Sequence, residues 1–166
     1  MSAVTKQPNS RHCFICGLQN EAGVQAAFYE SQAENGSPVV EARWVGRADH
    51  QGYPGRMHGG VAAGVLDEVM ARCVTAGANA LEPPLWGVTA EMNVRYLAPI
   101  PLGVELTARG RITRERNRLF EAEAELLLPD GSIAARARGK YWKLPLSEIA
   151  GSDTATLGWR VYPDAE

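Results

Sequence analysis

Cysteine is scarce in this sequence, an excess of positive charge is missing, and no long apolar run occurs. Cys13, Cys16 and Cys73 are the three cysteines in 166 residues. They are too few and too unevenly placed for a disulfide framework, so a reduced, cytoplasmic protein is expected. Formal net charge is −2. A chain that neutralises phosphate backbones carries a basic surplus, so no nucleic-acid partner is expected. No stretch approaches the ~20 apolar residues that cross a bilayer, so no membrane partner is expected either. Met1 to Asn9 lack the apolar segment of a secretory signal. Internal repeats and low-complexity tracts are absent. The Gly-rich stretch 46–57 holds neither the Lys-Ser/Thr of a P-loop nor a G-x-G-x-x-G, which argues against nucleotide binding of that kind.

What is present suits one domain with an ordinary core: 45% apolar and 22% charged residues. Residues 1–12 read as a loose leader and 13–144 as the domain. Residues 145–166 read as a tail that lies on the surface or packs across a partner subunit. Val24–Tyr29 and Val39–Val45 read as short strands on either side of the turn-rich segment 34–38. A helix is expected from about Gly59 to Thr75, ending near Gly77. Four strands follow: Leu85–Leu97, Val104–Thr113, Leu119–Leu128 and Ser132–Leu144.

The last two strands alternate with period two, and Asp130-Gly131 between them is a favoured two-residue hairpin turn. Setting Pro129 opposite Ser132 pairs Glu125 with Arg136, Glu123 with Arg138, and Glu121 with Lys140. A loop centred near Arg116 sets Arg111 against Glu121 and Arg109 against Glu123. These pairs mark one face of the sheet as wet. The apolar face opposite must be covered, and the single helix is its candidate cover. The expected architecture is α+β, an antiparallel sheet wrapped around one long central helix, with open edges that invite pairing with a second copy.

On the helix, Val61, Val65, Leu66, Val69, Met70, Cys73 and Val74 share one apolar arc. Glu68 has Arg72 at i+4 as a partner. Asp67 has only small or apolar residues at its helix-neighbour positions and no local cation. Such an acid is either an ordinary solvated carboxylate or a group poised for chemistry. Gly59-Gly60 at the helix start leave backbone N–H groups free to approach a ligand. Amides placed this way stabilise a developing oxyanion, which fits acyl transfer.

The segment His50-Gln51-Gly52-Tyr53-Pro54-Gly55-Arg56-Met57-His58-Gly59-Gly60-Val61, continuing to Leu66-Asp67-Glu68, resembles the hotdog-fold thioesterase superfamily, in particular its phenylacetate-pathway type of acyl-CoA thioesterase. Gly87 to Pro99 is similar to the strand that follows the helix in that group. The resemblance covers roughly residues 13–144. It implies hydrolysis of an acyl-CoA substrate by a homodimer or homotetramer without a cofactor, with the oxyanion donor and the acid supplied by opposite subunits. It makes Asp67 the general base or nucleophile and the Gly59 amide the group that polarises the thioester carbonyl. His58 would shape the turn, and Thr89 would orient the water or the carboxylate. Gly60 and Gln51 fall at substrate-binding positions, although Gly52 stands where many relatives carry Asn. Arg138 and Lys143 are the chosen partners for the coenzyme A phosphates. The alternatives are a hotdog acyl-CoA dehydratase or hydratase, and a non-catalytic acyl-CoA-binding protein. Cys13-x2-Cys16 is one half of a zinc site. With no second half in the sequence, no metal is expected and the two cysteines read as part of a packed cap.

Overall fold

Strand β8 (Leu119–Leu127) buries Phe120, Ala122, Ala124 and Leu126, while Glu121, Glu123 and Glu125 point away from the core. The same alternation runs through β3 (Pro38–Val45), β7 (Glu105–Glu115) and β9 (Ile133–Leu144). The computed structural model describes residues 4–151 and 153–164. The first three residues of the leader, and Ser152, Ala165 and Glu166 of the tail, lie outside the described residues. The other strands are β1 (Thr5–Lys6), β2 (Ala27–Gln32), β4 (Gln51–Tyr53), β5 (Arg56–Met57) and β6 (Trp86–Tyr96). The helices are α1 (Gly59–Arg72), α2 (Leu146–Ile149) and α3 (Thr154–Leu157).

Seven strands form one sheet in the order β1-β2-β3-β7-β8-β9-β6, antiparallel throughout. β4 and β5 make a separate ribbon before α1. The concave face closes on α1 through Ala62, Val65, Leu66, Val69 and Met70. This is the α+β sheet-around-helix architecture of the hotdog fold. The expected helix is α1 followed by a 3-10 turn, Cys73–Thr75. Among the described residues, no helix is long and apolar enough to cross a membrane.

The register expected from the 130–131 turn holds: Glu125 faces Arg136, Glu123 faces Arg138 and Glu121 faces Lys140. The turn itself differs. Leu128 N–H donates to the Ser132 carbonyl and Gly131 takes φ +82°, so the loop holds three residues. A shift between Leu126 and Leu127 restores the pairing. The β7–β8 pairing corrects the expectation. Arg109 lies opposite Glu125, and Arg111 opposite Glu123. Two features move the pairing: the turn closes on Arg116 and Leu119, and a bulge follows Ile112. The Arg109 side chain reaches Glu41 on β3 instead, at 2.6 Å.

Within the expected leader, residues 7–10 are packed rather than loose. β1 extends the sheet beside β2, and Gln7, Pro8, Asn9 and Ser10 are buried. Asn9 caps two loop carbonyls, those of Cys16 and Ala26, at 2.8 Å each. The tail returns to this segment: Asn9 bridges Arg160, and Trp159 packs on Trp86 with ring centroids 4.6 Å apart. β2 also starts later than expected, at Ala27 rather than Val24, because residues 13–26 form a turn-rich cap.

Candidate active site

Asp67 sits half-buried in the middle of α1, and three elements converge on its carboxylate. Thr89 on β6 donates from Oγ1, 2.8 Å from Oδ1 and 3.0 Å from Oδ2. Tyr141 on β9 donates its phenol to Oδ1 at 3.0 Å. No ion pair holds Asp67 among the described residues. Two neutral donors aim the carboxylate without neutralising it. Since Oδ1 accepts from both, Oδ2 keeps the greater free lone-pair capacity.

The approach of the strands depends on glycine at two positions. A Cβ on Gly87 would lie 2.5 Å from the Ala71 carbonyl, so a side chain there would push β6, and with it Thr89, off the helix. A Cβ on Gly139 would lie 2.7 Å from Cε2 of Tyr141. That gap is where the Tyr141 ring lies as it reaches toward α1. Burial first, and the neighbouring Asp67 second, push the Tyr141 phenol far above its ordinary range. Tyr141 is therefore a permanent proton donor to the acid rather than a titrating partner.

Glu68 is engaged elsewhere. Arg72 donates to its Oε1 from Nε and Nη2 at 2.9 and 2.8 Å, and the Cys13 thiol approaches Oε2 at 3.2 Å. The Arg72 guanidinium lies over the Phe28 ring at 3.9 Å. Arg72 thus anchors Glu68 in a buried network while Asp67 stays addressable.

Gly59 is the first residue of α1. Its N–H has no hydrogen-bond partner among the described residues, and its carbonyl accepts from the Tyr96 phenol at 2.5 Å. His58 is the N-cap, and its Nδ1 accepts the Gly60 N–H at 2.9 Å, so the Gly60 amide is already occupied. The Gln51 side chain accepts from Gly55 N at 3.1 Å and braces the loop before the helix. Along one helix, Gly59 and Asp67 are eight residues, or about 12 Å, apart. One chain therefore cannot place both on a single carbonyl.

The structure does not bring Arg138 and Lys143 together. Their positions on β9 have opposite parity, so they leave opposite faces of the sheet. Arg138 is 86% exposed near Glu123, and Lys143 is largely buried against Glu115 at 2.5 Å.

A cavity of about 550 Å³ opens beside Asp67, lined also by Thr89, Ala71, Val88, Trp86 and Trp159. Two of the residues that shape this site escaped the sequence reading. Tyr141 shares the inward parity of Ala135, Ala137 and Gly139, and its phenol is the polar group on that face; the alternation alone could have singled it out. Trp159 comes from the tail, which carries no periodicity to place it.

The sequence profile of the thioesterase superfamily matches residues 54–135. A Saccharolobus solfataricus protein with a provisional esterase name is 28% identical over 113 residues, which are 67% of this chain and 74% of that one. Among solved structures, a thioesterase superfamily protein superposes with a TM-score of 0.65 at 27% identity, covering 79% of this chain. The chain spans 63% of that protein's length. A conserved Pseudomonas aeruginosa protein gives 0.56 at 25% identity, over 64% of this chain and 81% of that one. A Bacillus halodurans protein determined with coenzyme A shares the fold at 24% identity and a TM-score of 0.57, over 69% and 72% of the two chains. The chain therefore has the hotdog fold and is similar to the thioesterase superfamily over residues 54–135.

Proposed function

We propose that this protein hydrolyses an acyl-CoA thioester to the free acid and coenzyme A, with Asp67 as general base or nucleophile. The observation that carries this reading is the Asp67 carboxylate, oriented by Thr89 and Tyr141, free of any ion pair among the described residues, and facing an apolar cavity. The match of residues 54–135 to the thioesterase superfamily supports it, as does coenzyme A on the same fold in the Bacillus halodurans protein.

In this reading the acyl group enters the cavity toward Trp86 and Trp159, and the thioester carbonyl lies over the carboxylate. The Gly59 amide of a second copy, at the positive end of its helix, receives the developing oxyanion. The working unit is therefore a homodimer, or a tetramer built from such dimers. β6 is the outermost strand of the sheet and an eleven-residue unpaired edge in the single chain. It carries both Thr89 and Tyr96, the residue that touches Gly59. An edge of that length is what pairing with a second copy covers. Asp67 either deprotonates a water that attacks the carbonyl, or attacks the carbonyl itself to give a mixed anhydride that a water then hydrolyses to the free acid and restored Asp67; in both cases the carbon–sulfur bond breaks and coenzyme A leaves as the thiol after protonation.

Release of free thiol from a panel of acyl-CoAs, followed with a thiol reagent, tests the activity. Turnover of at least one acyl-CoA is expected; hydration of an enoyl-CoA without thiol release, or binding without turnover, contradicts it. Within the site, Thr89→Ala removes a neutral hydrogen bond and leaves the acid in place. A loss in kcat on the order of tenfold is expected. Tyr141→Phe should cost about as much, with KM changed less than kcat, because both hydroxyls aim the carboxylate and neither touches the carbonyl. Steady-state kinetics of the two variants check this.

A further inference from the structure

We propose that Cys13, Cys16 and Glu68 form a binding site for a thiophilic divalent cation, Zn2+ above all, in the wall of the cavity that holds Asp67. The two sulfurs and a Glu68 carboxylate oxygen lie within 4.8 Å of one another. Ligand atoms of a tetrahedral zinc site, with bonds of about 2.3 Å to sulfur and 2.0–2.2 Å to oxygen, are roughly 3.5–3.8 Å apart. Small side-chain rotations therefore close the triad on an ion.

The turn that carries the cysteines aims backbone donors at sulfur. The backbone amides of Ile15 and Cys16 both donate to Cys13 Sγ, at 3.3 and 3.4 Å. Gly17 N–H closes the turn on the Cys13 carbonyl at 2.8 Å. A Cβ on Gly17 would sit 2.3 Å from that carbonyl oxygen, so no larger residue fits this loop. The Ser10 hydroxyl lies 3.4 Å from Cys16 Sγ. Amide and hydroxyl groups pointing at sulfur favour the charged form.

Charge and access fit as well. Arg72 occupies Oε1 of Glu68 and leaves Oε2 toward the sulfurs. Two thiolates, one carboxylate, one guanidinium and a divalent ion together form an electrically neutral group, which removes the main cost of burying it. Three protein ligands leave a fourth position, which opens on the cavity that His12 also lines. The second half of the site was invisible to a search for a second Cys or His pair, because helix α1 supplies it as a carboxylate 52 residues after Cys16 in the chain. A bound ion ties the N-terminal cap to the helix turn next to Asp67 and holds one wall of the cavity.

The test uses the full chain, reduced and stripped of metal with a chelator. Co2+ is titrated in while the near-ultraviolet thiolate-to-cobalt charge-transfer absorption is followed. Saturation at one Co2+ per chain is expected, with displacement by Zn2+, release of protons on binding, and affinity that rises with pH. Cys13→Ser and Cys16→Ser, each checked for retained secondary structure by circular dichroism, should weaken Co2+ binding on the order of a hundredfold or more. Glu68→Gln should keep the sulfur band but weaken binding about tenfold. The proposal is overturned by the absence of a saturable sulfur band in the reduced parent protein. It is equally overturned by Cys variants that bind as tightly as the parent, or by a Cys13–Cys16 disulfide that persists under reducing conditions.

Discussion

Asp67→Asn should lower kcat on the preferred acyl-CoA about 10³-fold, with the fold and the oligomer unchanged. Asn is nearly the same size and keeps an oxygen that accepts from Thr89 and Tyr141, so packing around the site persists. What is lost is the negative charge and the basic lone pair. A positioned general base contributes about 10²–10⁴-fold, and loss of a nucleophile costs at least as much. If Asp67 is the base or the nucleophile, KM moves little, because substrate binding draws on the cavity and not on the carboxylate. Stopped assays of thiol release, with the circular dichroism spectrum as a control for folding, measure this. A variant retaining more than a tenth of the parent kcat would mean that another group performs the chemistry.

The second large effect is expected at Gly59, through the backbone and not a side chain. Gly59→Pro removes the one N–H that the oxyanion would use. Proline suits this position: Gly59 is the first residue of the helix, where the N–H makes no intrahelical bond and the fixed φ is helical. His58 before it has ψ 133°, in the extended region that a residue preceding proline prefers. The helix should therefore survive while the donor disappears, and kcat should fall about 10²–10³-fold. Gly59→Ala separates the donor from the space around it. Alanine keeps the N–H, and its Cβ meets only the end of the Tyr96 ring at 3.2 Å, so most of the activity should remain. Equal losses in the two variants would assign the effect to crowding rather than to the amide.

The parts of the fold that repeat with a period were legible before any coordinates. Glu121, Glu123 and Glu125 against Lys140, Arg138 and Arg136 followed from one turn and a parity rule, and they stand as pairs in the sheet. The β7–β8 pairing was not legible, because a bulge after Ile112 leaves no mark in composition. The candidate site divides in the same way. The lone state of Asp67 and the diversion of Glu68 to Arg72 follow from helix spacing alone. That Thr89 reaches Asp67 was implied by resemblance; its physical reason is the glycine at position 87, which lets β6 lie against the helix backbone. Trp159 and the Cys13–Cys16–Glu68 group come from contacts between distant, irregular segments, where no period exists to read. Arg138 and Lys143 are both basic and on one strand, yet five residues apart, and an odd spacing sends them to opposite faces.

In the proposed dimer, an acid and an amide too far apart on one helix would meet across two copies of the chain. Mixing Asp67→Asn protein with Gly59→Pro protein, after dissociation and reassociation, measures it directly. Each mixed dimer would join one intact acid to one intact helix tip, so equal amounts should regain about a quarter of the parent activity from two nearly inactive proteins. Mixed dimers that form, as verified by differently tagged chains, and yet remain inactive would contradict it.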